Sequence, residues 1–318
     1  MSAPNTIQWE TIACPLCDAR FESELLSVPA THGASFRLVS CRNCGMVYMN
    51  PRPDESSIGA FYPEDYEPYQ PPKHQRDHWW RRMRERWLGP DRNSMTALPV
   101  HGERRLLDYG CGSGWFAHRM RESGWKVTGM DMSAHAVENA RHHFGLDVIH
   151  GTLPHPEVGP ESFDVITLGA VLEHLHWPHR VIGSAAKALT PGGYLVLSVP
   201  NLASWGFRHF RKDWFPLELP RHLLHFTPET LRLLVRMHGL EVTDLRMLGR
   251  TNWMRRSFAI RAENQQDHAI GKHLAALGRM RMIQSWLTRW TVWTGRADCL
   301  LIITRKPADG SGSIRQAA

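Results

Sequence analysis

Chemistry in this chain is concentrated at a few short stretches. Cys14-Pro15-Leu16-Cys17 and Cys41-Arg42-Asn43-Cys44 are two C-x2-C knuckles with 23 residues between them. Each knuckle places two thiolates on one turn, and four together satisfy a tetrahedral zinc ion, with no position open for a catalytic water. Leu106-Leu107-Asp108 runs into Tyr109-Gly110-Cys111-Gly112-Ser113-Gly114. That pattern reads as a buried strand ending in a tight turn whose glycines let a ligand approach the backbone. Asp131 closes the next apolar run, 17 residues after Gly114, where a carboxylate can accept both hydroxyls of a ribose. Glu173-His174 pairs a base with a possible orienter. Arg221, His222 and His225 lie in a Trp-rich stretch, where an imidazole can exchange protons near neutrality and a guanidinium can pair an acceptor's phosphate or carboxylate.

Two cofactors compete for such a glycine turn. The dinucleotide fingerprint needs a small third residue for close helix–strand packing, and counting from Gly110 and Gly112 that position is Trp115, which is far too bulky. The spacing Asp-x-Gly-x-Gly-x-Gly instead resembles the first motif of class I S-adenosylmethionine (SAM)-dependent methyltransferases. The resemblance covers about residues 100–305: 162–168 looks like the family's fourth motif, Leu172-Glu173-His174 follows it, and Leu189-x-Pro191-Gly192-Gly193 precedes the fifth strand. It implies a cofactor set of Asp108, Gly110, Cys111, Gly112, Gly114, Asp131, Met132, Thr152, Leu153 and Leu168, with the glycines against the methionine part of SAM. The family often has an acidic residue near Thr152 to hold the adenine, so its absence points to a backbone-mediated contact. The stretch 214–226 resembles the Pro-Arg-His-x-x-x-Phe segment of zinc-ribbon-bearing methyltransferases associated with surface polysaccharides or secondary metabolites. There the insertion after the fifth strand covers the acceptor pocket, which makes His222, His225, Glu173 and His174 the candidate catalytic groups. Nucleotide-sugar C-methyltransferases share the ribbon and the histidine-bearing loop, but carry a further C-terminal domain this chain is too short to hold.

The elements that must position these residues are legible from periodicity. Strand and helix patterns alternate from residue 104, which predicts an α/β fold with a parallel sheet and helices on both faces; the resemblance implies that this is the Rossmann-like, seven-stranded methyltransferase sheet, closed by an antiparallel last strand that 299–304 fits. A zinc ribbon over 1–52, a linker with a lid helix over 53–99, an acceptor lid over 200–226, a helical insertion over 249–297 and a disordered tail over 307–318 complete the expected organisation. The helix at 77–88 is basic and aromatic, suited to packing on the core. Tyr62, Tyr66 and Tyr69 read as part of an extended, partly packed connection.

Bulk properties narrow the partners. The chain has 318 residues, 42% hydrophobic and 22% charged, with no secretory leader and no apolar run long enough to span a bilayer. A cytoplasmic enzyme is expected, with peripheral contact at the inner membrane open to it. The net charge of +7 is uneven: residues 201–318 hold 19 Lys+Arg against 9 Asp+Glu, and the remainder 19 against 22. A basic C-terminal third suits a small anionic acceptor, lipid- or nucleotide-linked, or an anionic membrane reached through the amphipathic run 274–293. Methylation of RNA or protein through the ribbon is the rival, and the low charge of the first 100 residues argues against it. An inactive scaffold is the second rival, opposed by the intact glycine turn and Asp131.

Overall fold

The computed structural model describes residues 7–29, 35–63, 66–70, 95–265 and 280–308. The expected helix at 77–88, residues 274–279 of the amphipathic run and the tail beyond 308 lie outside these residues.

The N-terminal part is all strand: β1 (Trp9–Glu10), β2 (Glu22–Pro29), β3 (Ser35–Cys41), β4 (Val47–Met49) and β5 (Arg52–Pro53). Alternation then sets in with β6 (Arg105–Tyr109), α1 (Trp115–Glu122), β7 (Lys126–Asp131), α2 (Ala134–Phe144), β8 (Asp147–His150), β9 (Phe163–Gly169), α3 (Pro178–Ala188) and β10 (Leu189–Pro200). The C-terminal part holds α4 (Trp205–Phe210), β11 (Leu224–His225), α5 (Pro228–Met237), β12 (Glu241–Leu248), α6 (Thr251–Asn264), α7 (Arg281–Trp293) and β13 (Cys299–Arg305).

The large sheet has seven strands in the order β12-β13-β10-β9-β6-β7-β8. From β6 to β10 the neighbours pair in parallel, and β13 runs antiparallel between β10 and β12. This is the Rossmann-like methyltransferase sheet expected above, with the helical insertion before its last strand. Its central strands are buried on both faces, which is why Leu106-Leu107 and Val165-Ile166 read as continuous apolar runs. The chain leaves β6 to one side for β7 and β8, then crosses back to β9 on the other. That reversal puts a crevice at the carboxyl end of β6, where open α/β sheets bind ligands.

Local signals set most boundaries. Ser133 caps α2 by accepting from the Ala136 amide at 3.2 Å, and Thr227 opens α5 with a capping box closed by Thr230. One expectation shifts: Thr190-Pro191-Gly192-Gly193 ends α3 but lies inside β10, as an irregularity between Leu189 and Tyr194.

The four-cysteine module does not stand apart. Its sheet is ordered β11-β4-β3-β2, so the main domain lends it a strand from the 200–226 segment. Leu224 and His225 pair with Tyr48 and Val47, and the Met49 amide donates to the Leu223 carbonyl at 2.9 Å. Arg52, 1% exposed, ties the same seam: its guanidinium donates to Glu10 at 2.7 Å and to the His176 carbonyl at 3.1 Å.

Candidate active site

The carboxyl ends of β6, β7 and β9 surround a cavity of about 400 Å³. Gly110, Gly112, Asp131, Met132, Ser133, Thr152 and Leu153 line one side of it, and Ala170, Val171 and His174 another. Gly112 is needed for close approach: at φ +51°, a Cβ there would lie 2.6 Å from the Pro68 carbonyl. That carbonyl accepts from the Ser113 amide at 2.9 Å. Gly114, at φ +80°, serves packing instead, because its Cβ would run into Ala140 and Leu146. It therefore does the helix-packing work that Trp115 cannot.

Asp131 is held rigidly. Its Oδ2 accepts from the Gly112 amide and its Oδ1 from the Ser133 amide, each at 2.9 Å. Burial raises its carboxyl above the ordinary carboxylate range, against the lowering effect of those amides. Asp108 lies below the turn, fully buried, and accepts from the Thr167 hydroxyl at 2.9 Å; burial pushes it up to about 7. Asp108, Cys111, Gly114 and Leu168 are thus not among the described residues lining the cavity, and act beneath it. Thr152 lines it, with its hydroxyl 2.6 Å from that of Tyr109.

The roof comes from the extended connection that carries Tyr62, Tyr66 and Tyr69. Glu55, Ile58, Gly59, Tyr62, Tyr66, Pro68 and Tyr69 face the glycine turn across the cavity, whereas no described lining residue comes from 200–226. The expected acceptor lid therefore does not cover the cavity itself. It braces the roof from behind. Arg221 donates to the Phe61 carbonyl at 3.3 Å, pairs with Glu218 at 2.8 Å and stacks 5.1 Å from the Tyr66 ring centroid. That engagement removes Arg221 as the group expected to meet an anionic acceptor. The tyrosines stack edge to face at 5.3 and 5.2 Å, a 4-and-3 spacing in a Pro-rich stretch that could have flagged one shared face.

The four expected catalytic residues converge. His174 lines the cavity; Glu173, His222 and His225 are buried behind it. The His174 and His222 rings meet at 4.5 Å, and ligand atoms of Glu173, His174 and His222 all lie within 4.8 Å of one another, close enough to share a proton or a cation. Burial pushes Glu173 up to about 8 and holds His174 and His222 down to about 3 and His225 to about 4. Both Glu173 carboxylate oxygens and His225 Nε2 lack a hydrogen-bond partner. An orphaned buried carboxyl is costly and stays protonated unless a cation joins it. Ala170, at φ +56°, turns the chain sharply out of β9 beside this cluster, a strained position of the kind that gathers at functional sites.

At the other end of the chain the cysteines meet. Cys14 and Cys44 Sγ are 3.5 Å apart, Cys17 and Cys41 Sγ 3.6 Å, and all four lie within 4.8 Å of one another. Four thiolates about 2.3 Å from one tetrahedral ion would stand roughly 3.8 Å apart, so the set fits.

A family model described as a methyltransferase domain matches residues 73–245. The ubiquinone biosynthesis O-methyltransferase of Vibrio atlanticus (strain LGP32) is 36% identical over 132 residues, 40% of this chain and 53% of that protein. Its namesake from Pectobacterium carotovorum subsp. carotovorum (strain PC1) is 30% identical over 151 residues, 45% of this chain and 63% of that protein. The chain thus spans about half the length of the first of these relatives. Among solved structures, an S-adenosylmethionine-dependent methyltransferase from Mesorhizobium loti is 21% identical, with a TM-score of 0.45 over 66% of this chain and 94% of that one.

Proposed function

The chain belongs to the methyltransferase-domain family; from that premise we propose that it is a class I SAM-dependent methyltransferase that methylates an oxygen of a small anionic acceptor, with His174 as the base. The observation that carries this is the position of His174: of the four clustered titratable groups it alone lines the cavity, opposite the glycine turn.

Each part of the cavity has a task in this reading. The Gly110–Gly112 turn and the tyrosine roof admit a flat ligand between them, and Asp131, braced by two amides, receives the ribose hydroxyls of SAM. Tyr109, Thr152 and Leu153 form the wall at the adenine end. When bound, SAM supplies an electrophilic methyl group for in-line displacement. The chain's own contribution is alignment of the two reactants and removal of one proton from the acceptor hydroxyl. His174 Nδ1 lies 2.8 Å from the Tyr62 hydroxyl and 3.1 Å from the Arg221 carbonyl. A carbonyl only accepts, so Nδ1 carries the hydrogen and Nε2 keeps the lone pair that takes the proton, the acceptor's negative charge in the cavity offsetting the burial that otherwise holds the ring down to about 3. The His222 ring packs edge to face against it at 4.5 Å and positions it from behind. Arg180, which lines the cavity and has no hydrogen bond or ion pair from its side chain among the described residues, receives the acceptor's negative charge. The curated relatives named above are O-methyltransferases, which supports oxygen as the atom methylated. Cys14, Cys17, Cys41 and Cys44 hold one structural zinc ion, away from the reaction.

Calorimetric titration with S-adenosylhomocysteine tests the first half: binding in the parent protein, and loss of about tenfold or more in Asp131→Ala. Radiolabelled methyl transfer from SAM to a panel of small hydroxylated acids and phosphates tests the second. His174→Gln should retain S-adenosylhomocysteine affinity and lose about 10²-fold or more in kcat. Undiminished turnover in His174→Gln, or methylation confined to nitrogen, carbon, protein or RNA, would refute it.

A further inference from the structure

The helix α7 is inverted relative to an ordinary surface helix. Gln284, Thr288 and Thr291 are turned inward at 2, 8 and 1% exposure, while Met282, Trp286 and Trp293 are turned outward at 86, 65 and 85%. At 3.6 residues per turn Met282, Trp286, Arg289 and Trp293 fall on one narrow stripe, and Arg289 is exposed within it. Val292, at 40%, extends the apolar surface along one side of the stripe. Solvated helices do the reverse, so an outward face more apolar than the inward one marks a contact surface.

Charge decides what that contact is. From Met280 to Ala297 the chain carries Arg281, Arg289 and Arg296 and no Asp or Glu. Pairing of two copies about a two-fold axis through this stripe would bring like charges together with no carboxylate on the face to offset them. A surface of anionic headgroups accepts both features at once, since indole rings settle at the boundary between headgroups and acyl chains and guanidinium groups pair with phosphate. No helix among the described residues is long and apolar enough to cross a membrane, so the helix would lie along the surface rather than span it. We propose that the outward stripe of α7 docks the protein on an anionic lipid bilayer, with Trp286 and Trp293 as the anchors and Arg289 at the headgroups.

Sedimentation of the full-length protein with vesicles tests this. Phosphatidylcholine vesicles containing one third phosphatidylglycerol should pull the protein down, pure phosphatidylcholine should do so weakly, and added salt should weaken the anionic case. Trp286→Ser with Trp293→Ser should lower vesicle affinity about tenfold or more. Both side chains are solvent-facing, and unchanged S-adenosylhomocysteine binding would show that the variant is folded. Arg289→Glu should abolish the preference for anionic lipid while keeping the fold. The proposal is overturned if the parent protein ignores anionic vesicles, if the double variant sediments as before, or if the parent is a dimer that the double variant dissociates.

Discussion

Three histidines and a glutamate, buried against one another, set the ionisation of this protein. His174 and His222 are held down to about 3, His225 to about 4, and Glu173 is pushed up to about 8, each chiefly by burial. In the unfolded chain the histidines titrate near 6.5 and the glutamate near 4.5. Between those two values the unfolded chain takes up three protons that the native histidines refuse, while native Glu173 keeps one that the unfolded chain releases. For these four groups alone unfolding therefore binds about two protons net, so their share of the stability rises with pH across this window by at most about 2.7 kcal/mol per pH unit. Above 6.5 the histidine contribution is complete, and stability falls again because native Asp108 and Glu173, up to about 7 and 8, keep protons that the unfolded chain has released. Denaturant titrations over this range should show maximal stability near pH 6.5, and His225→Gln should reduce the acid-side slope by about one proton. A flat profile would mean that the cluster is solvated or occupied.

At the scale of elements, the roof and its brace decide cofactor affinity. The 55–69 segment covers the cavity with tyrosines, and its described residues form only single 3₁₀ turns, with no regular strand or α-helix among them. Arg221 joins it to the 218–222 turn through the Phe61 carbonyl, Glu218 and the Tyr66 ring. Arg221→Ala removes all three contacts while leaving the glycine turn and Asp131 in place. S-adenosylhomocysteine should then bind about three- to tenfold more weakly, through faster release, with little change in thermal stability. Stopped-flow measurement of dissociation checks this; an unchanged off-rate would mean the tyrosines hold their place without the brace. Replacement by lysine should not restore affinity, because only the planar guanidinium both stacks on Tyr66 and forks to its partners.

The molecule as a whole is sewn together at the ribbon seam. Because β11 completes the small sheet and Leu223 bonds both Met49 and Glu173, the four-cysteine knuckles and the His174 cluster share a backbone frame. The imidazole of His179 adds a contact to the Leu16 carbonyl at 3.0 Å, inside the first knuckle. Loss of the proposed zinc ion should therefore not merely melt an appendage. Chelation, or Cys44→Ser, should lower the melting temperature by about 10 °C or more in a single transition and weaken S-adenosylhomocysteine binding with it. Two separate transitions, or an unchanged melting temperature after verified metal removal, would show that the seam transmits nothing.

Local pattern alone determined a good deal here. The Asp-x-Gly-x-Gly-x-Gly spacing, Asp131 at the end of the next strand and the alternation after residue 104 announce the sheet and its crevice, since strand period, turn glycines and helix caps are short-range physics. The strands β9 and β13 fall within a residue of the expected 162–168 and 299–304. The paired C-x2-C units likewise need only their spacing. Long-range packing decided the rest. Nothing local to Tyr62, Tyr66 or Tyr69 says that they face Gly112, because that approach depends on the Pro68 carbonyl meeting a residue 44 positions away. Nothing local to His222 and His225 says that they stand behind His174 rather than in the cavity, or that Leu224 and His225 finish the ribbon's sheet. Those outcomes depend on burial and on partners distant in the chain, which a periodicity cannot encode and only the folded structure supplies.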